Sequence, residues 1–125
     1  MKTYIVYVDD YGTKSWRLDG KLHREDGPAV EYTDGNKFWF LNDKRHRVDG
    51  PAIEWADGGK EWYLNNKRHR EDGPAFELSS GTKYWYLNGK EYTEAEWSKR
   101  VQKVKSPCVG KVIEIDGIKY KLVEA

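Results

Sequence analysis

Lys44-Arg-His-Arg-Val-Asp-Gly-Pro-Ala52 decides the fold, because it recurs almost unchanged 23 residues earlier, from Lys21 to Ala29, and 23 residues later, from Lys67 to Ala75. Working outward, Trp16, Trp39, Trp62 and Trp85 keep the same step, and so do Gly12, Gly35, Gly58 and Gly81. A fixed period of this length marks a repeat architecture. Units of that kind contact mainly their neighbours and present an extended surface rather than a closed pocket. Binding is therefore expected ahead of catalysis.

One unit reads Pro28-Ala-Val-Glu-Tyr-Thr-Asp-Gly-Asn-Lys-Phe-Trp-Phe-Leu-Asn42. Asp34-Gly35 predicts a two-residue hairpin turn of type I′, which needs positive φ at both central positions. Asp57-Gly58 repeats it, whereas Tyr11-Gly12 and Ser80-Gly81 keep only the glycine. About such a turn Glu31 faces Phe38 and Val30 faces Trp39. Side chains alternate between faces along a strand, so Val30, Tyr32, Trp39 and Leu41 are expected on one buried, apolar face. The opposite face then carries Glu31, Glu54 and Glu77 together with two rows that change from copy to copy. One row is Ser15, Phe38, Glu61 and Tyr84; the other is Arg17, Phe40, Tyr63 and Tyr86. Structural demand repeats with the unit, whereas a specific partner need not. Phe38, Phe40, Glu61, Tyr63, Tyr84 and Tyr86 are therefore the candidate partner-binding residues. The competing reading has Phe38, Phe40, Tyr84 and Tyr86 packing beneath the C-terminal segment.

Asp-Gly-Pro between units predicts a turn, since glycine accepts unusual φ and proline belongs at a strand start or an edge. The fold class expected is mainly β: an open, twisted antiparallel meander of tandem β-hairpins with a C-terminal helix and a terminal hairpin. Residues 1–92 form the repeat sheet of about four units, within a single domain overall. Thr93-Glu-Ala-Glu96 fits a capping box and predicts a capping helix over 93–105, with Trp97, Val101 and Val104 on one stripe. Ser106-Pro107 stops it, and residues 106–125 form a linker and a hairpin around Asp116-Gly117.

Composition narrows the function. Lys and Arg number 22 against 21 Asp and Glu, so no global field calls for a polyanion. No apolar run approaches the ~18 residues of a membrane-spanning helix, and the N-terminal stretch lacks the features of a secretory signal. Cys108 is the single cysteine and has no internal partner. A cytoplasmic protein without membrane association is expected. The 15 Trp and Tyr residues suit a thin sheet that lacks a thick core, because each buries much area.

Trp62-Tyr-Leu-Asn-Asn-Lys-Arg-His-Arg-Glu-Asp-Gly-Pro-Ala75 and its copies resemble the MORN repeat family, and more closely a divergent phage and bacterial variant of it. The resemblance covers residues 4–92. The sequence departs from the common MORN pattern in carrying His-Arg-x-Asp-Gly-Pro-Ala where a His-Gly-x-Gly turn is usual, which weakens any lipid-binding inference. The resemblance implies a non-enzymatic scaffold that presents a sheet face or loops to another macromolecule. A small phage protein of this kind is expected to act in the host cytoplasm as an inhibitor of a host defence factor.

Three histidines, His23, His46 and His69, invite a metal reading. Equivalent residues of successive hairpins stand roughly 10 Å apart, whereas zinc needs nitrogens at about 2 Å, so no metal site is assigned. No nucleophile–base pair or cofactor loop is visible, so no catalytic residue and no cofactor are assigned either. The partner expected is another protein. The alternative is an anion ladder of Arg24, Lys44, Arg47, Lys67 and Arg70, spaced to follow phosphates of a nucleic acid or to hold a nucleotide. Stacking on the variable aromatics would assist it, while Asp26, Asp49 and Asp72 oppose it. An exposed sheet edge also makes a dimer accessible.

Overall fold

A computed structural model describes residues 3–105, 112–115 and 118–121. Two compact units divide the chain, residues 1–91 and 92–125. The first is an open antiparallel meander. Its outermost strand β1 (Tyr4–Val8) pairs over its whole length with β2 (Lys14–Leu18), from which the short β3 (Lys21–Leu22) turns back. The sheet continues through β4 (Val30–Glu31), β5 (Lys37–Phe38), β8 (Ile53–Glu54), β9 (Lys60–Glu61), β12 (Phe76–Glu77) and β13 (Lys83–Leu87) to β14 (Lys90–Tyr92). Two-stranded ladders lie alongside, β6 (Phe40–Leu41) with β7 (Lys44–Arg45) and β10 (Tyr63–Leu64) with β11 (Lys67–Arg68). Backbone bonds carry the meander through these ladders, from Arg24 to the Phe40 carbonyl and from Arg47 to the Tyr63 carbonyl, both 3.1 Å. Each repeat thus contributes three strands, one entering, one long and one short. The long strand is interrupted at Trp39 and Trp62 in the inner repeats but runs unbroken through Trp16 and Trp85 in the outer ones.

The turn chemistry differs from the sequence expectation, and the register with it. At the hairpin tips Tyr32 donates to the Asn36 carbonyl at 3.0 Å, and Gly35 donates to the Tyr32 carbonyl at 3.1 Å. The loop is therefore three residues long, with only Gly35 in the left-handed region (φ 102°). This is a type I turn followed by a glycine that closes it. The tips at Gly12, Gly58 and Gly81 show the same bond pattern. The two-residue turns with positive φ at both centres lie at the other end of the long strands. They are Asp19-Gly20, Asn42-Asp43, Asn65-Asn66 and Asn88-Gly89, where short polar side chains tolerate the left-handed conformation.

One extra loop residue shifts the pairing by one, so Val30 lies opposite Phe38 and Glu31 opposite Lys37. A shift of one exchanges faces. The face with Val30, Ile53 and Phe76 therefore carries Phe38, Glu61 and Tyr84, while Trp39 stands on the other face beside Glu31. Side-chain contacts agree. Phe38 meets Tyr32 and Trp55 edge-on at 5.5 and 5.4 Å, and it packs on the core of Ala52, Ile53 and Tyr63. The expected grouping of Val30, Tyr32, Trp39 and Leu41 is overturned in respect of Trp39 and Leu41, which line one hollow together.

In the second unit α1 spans Glu94–Lys105. Thr93 Oγ1 accepts the Glu96 N–H at 3.2 Å, and the Thr93 carbonyl accepts that of Trp97 at 2.8 Å, as a capping Thr should. Arg100 stacks over Tyr92 at 4.6 Å. Strands β15 (Val112–Ile115) and β16 (Ile118–Lys121) pair antiparallel, with Ile115 opposite Ile118. The expected stop at Ser106-Pro107, Cys108 and the Asp116-Gly117 turn lie outside the described residues.

Candidate functional site

The His-Arg-x-Asp-Gly-Pro loops are built around their arginines. Arg47 lies over the Trp39 ring, its guanidinium carbon 4.0 Å from the centroid, and donates to Asp49 (3.0 Å), the Pro51 carbonyl (3.0 Å) and Glu54 (2.9 Å). Arg24 repeats this on Trp16 at 3.9 Å and Arg70 on Trp62 at 3.8 Å, each with its own Asp and Pro carbonyl. A guanidinium held over indole and bonded through Nε to an aspartate combines cation–π attraction with a charge-assisted bond. This explains the loop glycine. A Cβ on Gly50 would stand 2.9 Å from the Arg47 guanidinium carbon, so the position is small because the arginine packs on it. None of Gly27, Gly50 and Gly73 has a left-handed φ, which corrects the expectation that they serve the turn by unusual φ.

Each histidine secures the following turn. Nδ1 of His23, His46 and His69 accepts the N–H of Asn42, Asn65 and Asn88 at 3.0, 2.9 and 2.9 Å. The ring proton is therefore on Nε2, which faces Glu25 at 3.0 Å and Glu71 at 2.9 Å in the outer copies. In the middle copy Val48 replaces the glutamate and stands 83% exposed.

Successive loops leave three hollows in register. One of about 450 Å³ lies between Trp16 and the first loop, one of about 650 Å³ contains Trp39 between the first and second, and one of about 720 Å³ contains Trp62 between the second and third. They succeed one another as a furrow that the first and second loops cross, with tryptophan and arginine as its floor. Its rims are the exposed tips Glu25, Asp26, Val48, Asp49, Glu71 and Asp72. The Asp side chains of these tips are 80–88% exposed, whereas the arginines beneath are only 20–23% exposed. Of the expected anion ladder, Arg24, Arg47 and Arg70 are thus turned inward and paired. Lys44 and Lys67 are exposed on β7 and β11. The outward row is mostly carboxylate.

The variable aromatic rows lie on the Val30 face. Phe38, Phe40, Tyr84 and Tyr86 are half-buried, and Phe38 stacks with Phe40 at 6.5 Å. Glu61 and Tyr63, expected to meet a partner, are only 4% and 5% exposed. Glu61 accepts bonds from Trp55 Nε1 (2.7 Å), the Tyr63 hydroxyl (2.9 Å) and Arg68 (2.9 Å). Burial, the bond to Glu61 and its charge hold the Tyr63 phenol above its ordinary range, against the opposing charges of Arg68 and Arg45. Burial opposes the Arg68 charge, yet the bond to Glu61 and the nearby phenols leave that guanidinium held more firmly than usual. Arg45 covers the Tyr63 ring at 4.3 Å, and Arg68 lies 4.7 Å from Phe76 and 5.3 Å from Tyr86.

Arg45 and Arg68 were not among the residues the sequence singled out for this face. A signal existed: the position before each loop histidine varies as Leu22, Arg45 and Arg68, in step with the variable aromatics beside it. No protein-family model matches the chain, and no curated protein or solved structure shows significant similarity to it.

Proposed function

We propose that the repeat sheet is a non-enzymatic protein-binding module, of MORN-like kind, that receives a basic segment of its partner along the loop furrow. The half-exposed aromatics of the Val30 face offer a second contact area. The observation that carries this reading is the direction of the loop charges. Each repeat arginine lies inward against its tryptophan, 20–23% exposed, while the aspartate it bonds is 80–88% exposed. The rims therefore offer carboxylates, and these repel a phosphate backbone while attracting Lys and Arg. Tryptophan floors at a fixed step suit side chains of a protein, which can stack or insert. Nucleic-acid binding through the arginines would first require each loop to give up its internal ion pairs.

The test is capture from cell lysate with and without nuclease, comparing the wild type with a triple variant, Glu25→Lys, Val48→Lys and Glu71→Lys. These positions are the variable ones of the loops and leave the Arg–Asp–Trp brace intact. A stoichiometric protein that survives nuclease and is lost from the variant is expected. Recovery of nucleic acid, with protein bands lost on digestion, would reject this reading and restore the arginine ladder.

A further inference from the structure

We infer that two copies of this chain join through β1, strand to strand about a two-fold axis at Val6, to make one continuous sheet. The same strand lends Tyr4 and Val6 to the wall of the first hollow, but the inference rests on its outer edge and not on what the hollows bind. Strand β1 is the outermost strand of its sheet, and all five of its residues are exposed: Tyr4 38%, Ile5 52%, Val6 46%, Tyr7 52% and Val8 60%. Residues of both faces thus reach solvent, although Tyr4 donates to Glu25 at 3.1 Å and Arg17 lies over the Tyr7 ring at 5.9 Å. The run Tyr-Ile-Val-Tyr-Val contains no charge, proline or glycine. Natural sheets protect such edges with Lys, Pro, bulges or a cover. The other end of this sheet follows that rule, since β14 reads Lys-Glu-Tyr.

The backbone parity selects a second copy over an arbitrary strand. Asp9 donates to the Thr13 carbonyl at 3.0 Å, so Asp9, and with period two Tyr7 and Ile5, turn their backbone groups toward β2. Val6 and Val8 turn theirs to the open edge. The next ladder agrees, because Trp16, which faces Val6 across β1 and β2, donates away from β1 to Ala29 at 2.7 Å. An antiparallel pair centred on Val6 lets the two Val6 residues exchange both backbone bonds. The same register places Val8 opposite the other copy's Tyr4 and Ile5 opposite its Tyr7. Every cross-strand pair along the strand is then aromatic or β-branched, the kind that stabilises a sheet, and no like charges meet. The hydrogen-bonding centre and the centre of the apolar run coincide at one residue, which is the self-complementarity an isologous interface requires.

Sedimentation equilibrium of the full chain at about 100 µM, where a micromolar complex is filled, should give twice the 14.7 kDa of one chain. Val6→Pro removes only the outward N–H, which an edge strand tolerates, and should return the mass to that of a single chain with the circular dichroism unchanged. Two further variants keep the idea testable if the proline unfolds the strand. Val6→Lys and Val6→Glu chains should each be monomeric, since like charges would meet on the axis, and mixing them should restore the doubled mass. A wild type that stays at the single-chain mass overturns the inference. So does self-association that survives both charged variants, and so does a failure of the mixture to associate while the wild type does.

Discussion

Arginine carries two separate duties in this chain, and geometry tells them apart. Arg24, Arg47 and Arg70 brace loops on tryptophan, while Arg68 neutralises the buried Glu61 and spreads over Phe76 and Tyr86. Lysine has the charge but lacks the planar fork that stacks and bonds together. Arg47→Lys should therefore cost about 1–2 kcal/mol in urea unfolding, and Arg70→Lys should cost about the same because its surroundings repeat. A loss confined to one loop would mean that the brace is not a property of the repeat. Tyr63 gives a second residue-scale prediction. Its phenol is held above the ordinary 10.0 by burial first and Glu61 second, so the folded chain keeps a proton that the unfolded chain releases. Stability linked to Tyr63 is present below pH 10 and lost as pH rises through the folded value. Urea unfolding at pH 9 and pH 11 should show a steeper loss in the wild type than in Tyr63→Phe, which no longer carries that proton. Equal losses would remove Tyr63 from the account.

At the scale of the element, the repeat period, the long strands, the capped helix and the terminal hairpin pairing were legible in the sequence, because each rests on periodicity or on local cap chemistry. The faces were not. Asp-Gly is compatible both with a two-residue turn having two positive φ values and with a three-residue loop having one, and these differ by one residue of register. Asn42-Asp43, Asn65-Asn66 and Asn88-Gly89 show where the two-residue turns are, since Asn accepts a left-handed φ that Thr33 and Asp34 do not need here. The consequence for the candidate site is direct: Glu61 and Tyr63 moved from an expected contact surface into the packed face. The loop geometry itself can be checked with Gly35→Ala and Gly58→Ala. An alanine Cβ would stand 3.4 Å from the Ala56 side chain at Gly35 and meets nothing within 4 Å at Gly58, yet both glycines have φ near 100°. Each substitution should cost about 1–2 kcal/mol from backbone strain alone. A neutral Gly58→Ala would show that the tip relaxes and that the register is not pinned by its left-handed glycine.

For the whole molecule, a nearest-neighbour array should tolerate removal of one unit in phase and reject removal out of phase. Deleting residues 44–66 joins Asp43 to Lys67, keeps the sequence Leu-Asn-Asp-Lys-Arg-His-Arg continuous, and brings Phe76 where Ile53 paired with Phe38. The shortened chain loses Glu61 and Tyr63 with their unit, so Arg68 must turn its partly exposed side chain to water. Stability should fall, but the strands, turns and loop braces on either side find equivalent partners, with Trp39 taking the place of Trp62 under Arg70 and Phe38 that of Glu61 opposite Phe76. Since 23 of 125 residues are removed, the denaturant slope should fall by about a fifth with cooperativity retained, because the slope follows the surface exposed on unfolding. Deleting residues 44–65 instead leaves the junction one residue out of step. Every following strand would then present its other face, placing Phe76 and Tyr84 on the side of Trp39 and Glu31. That chain should lose its cooperative unfolding transition by circular dichroism. Equal behaviour of the two deletions would show that the sheet is held by something other than phase, and would undercut any binding surface built from residues that recur at a fixed step.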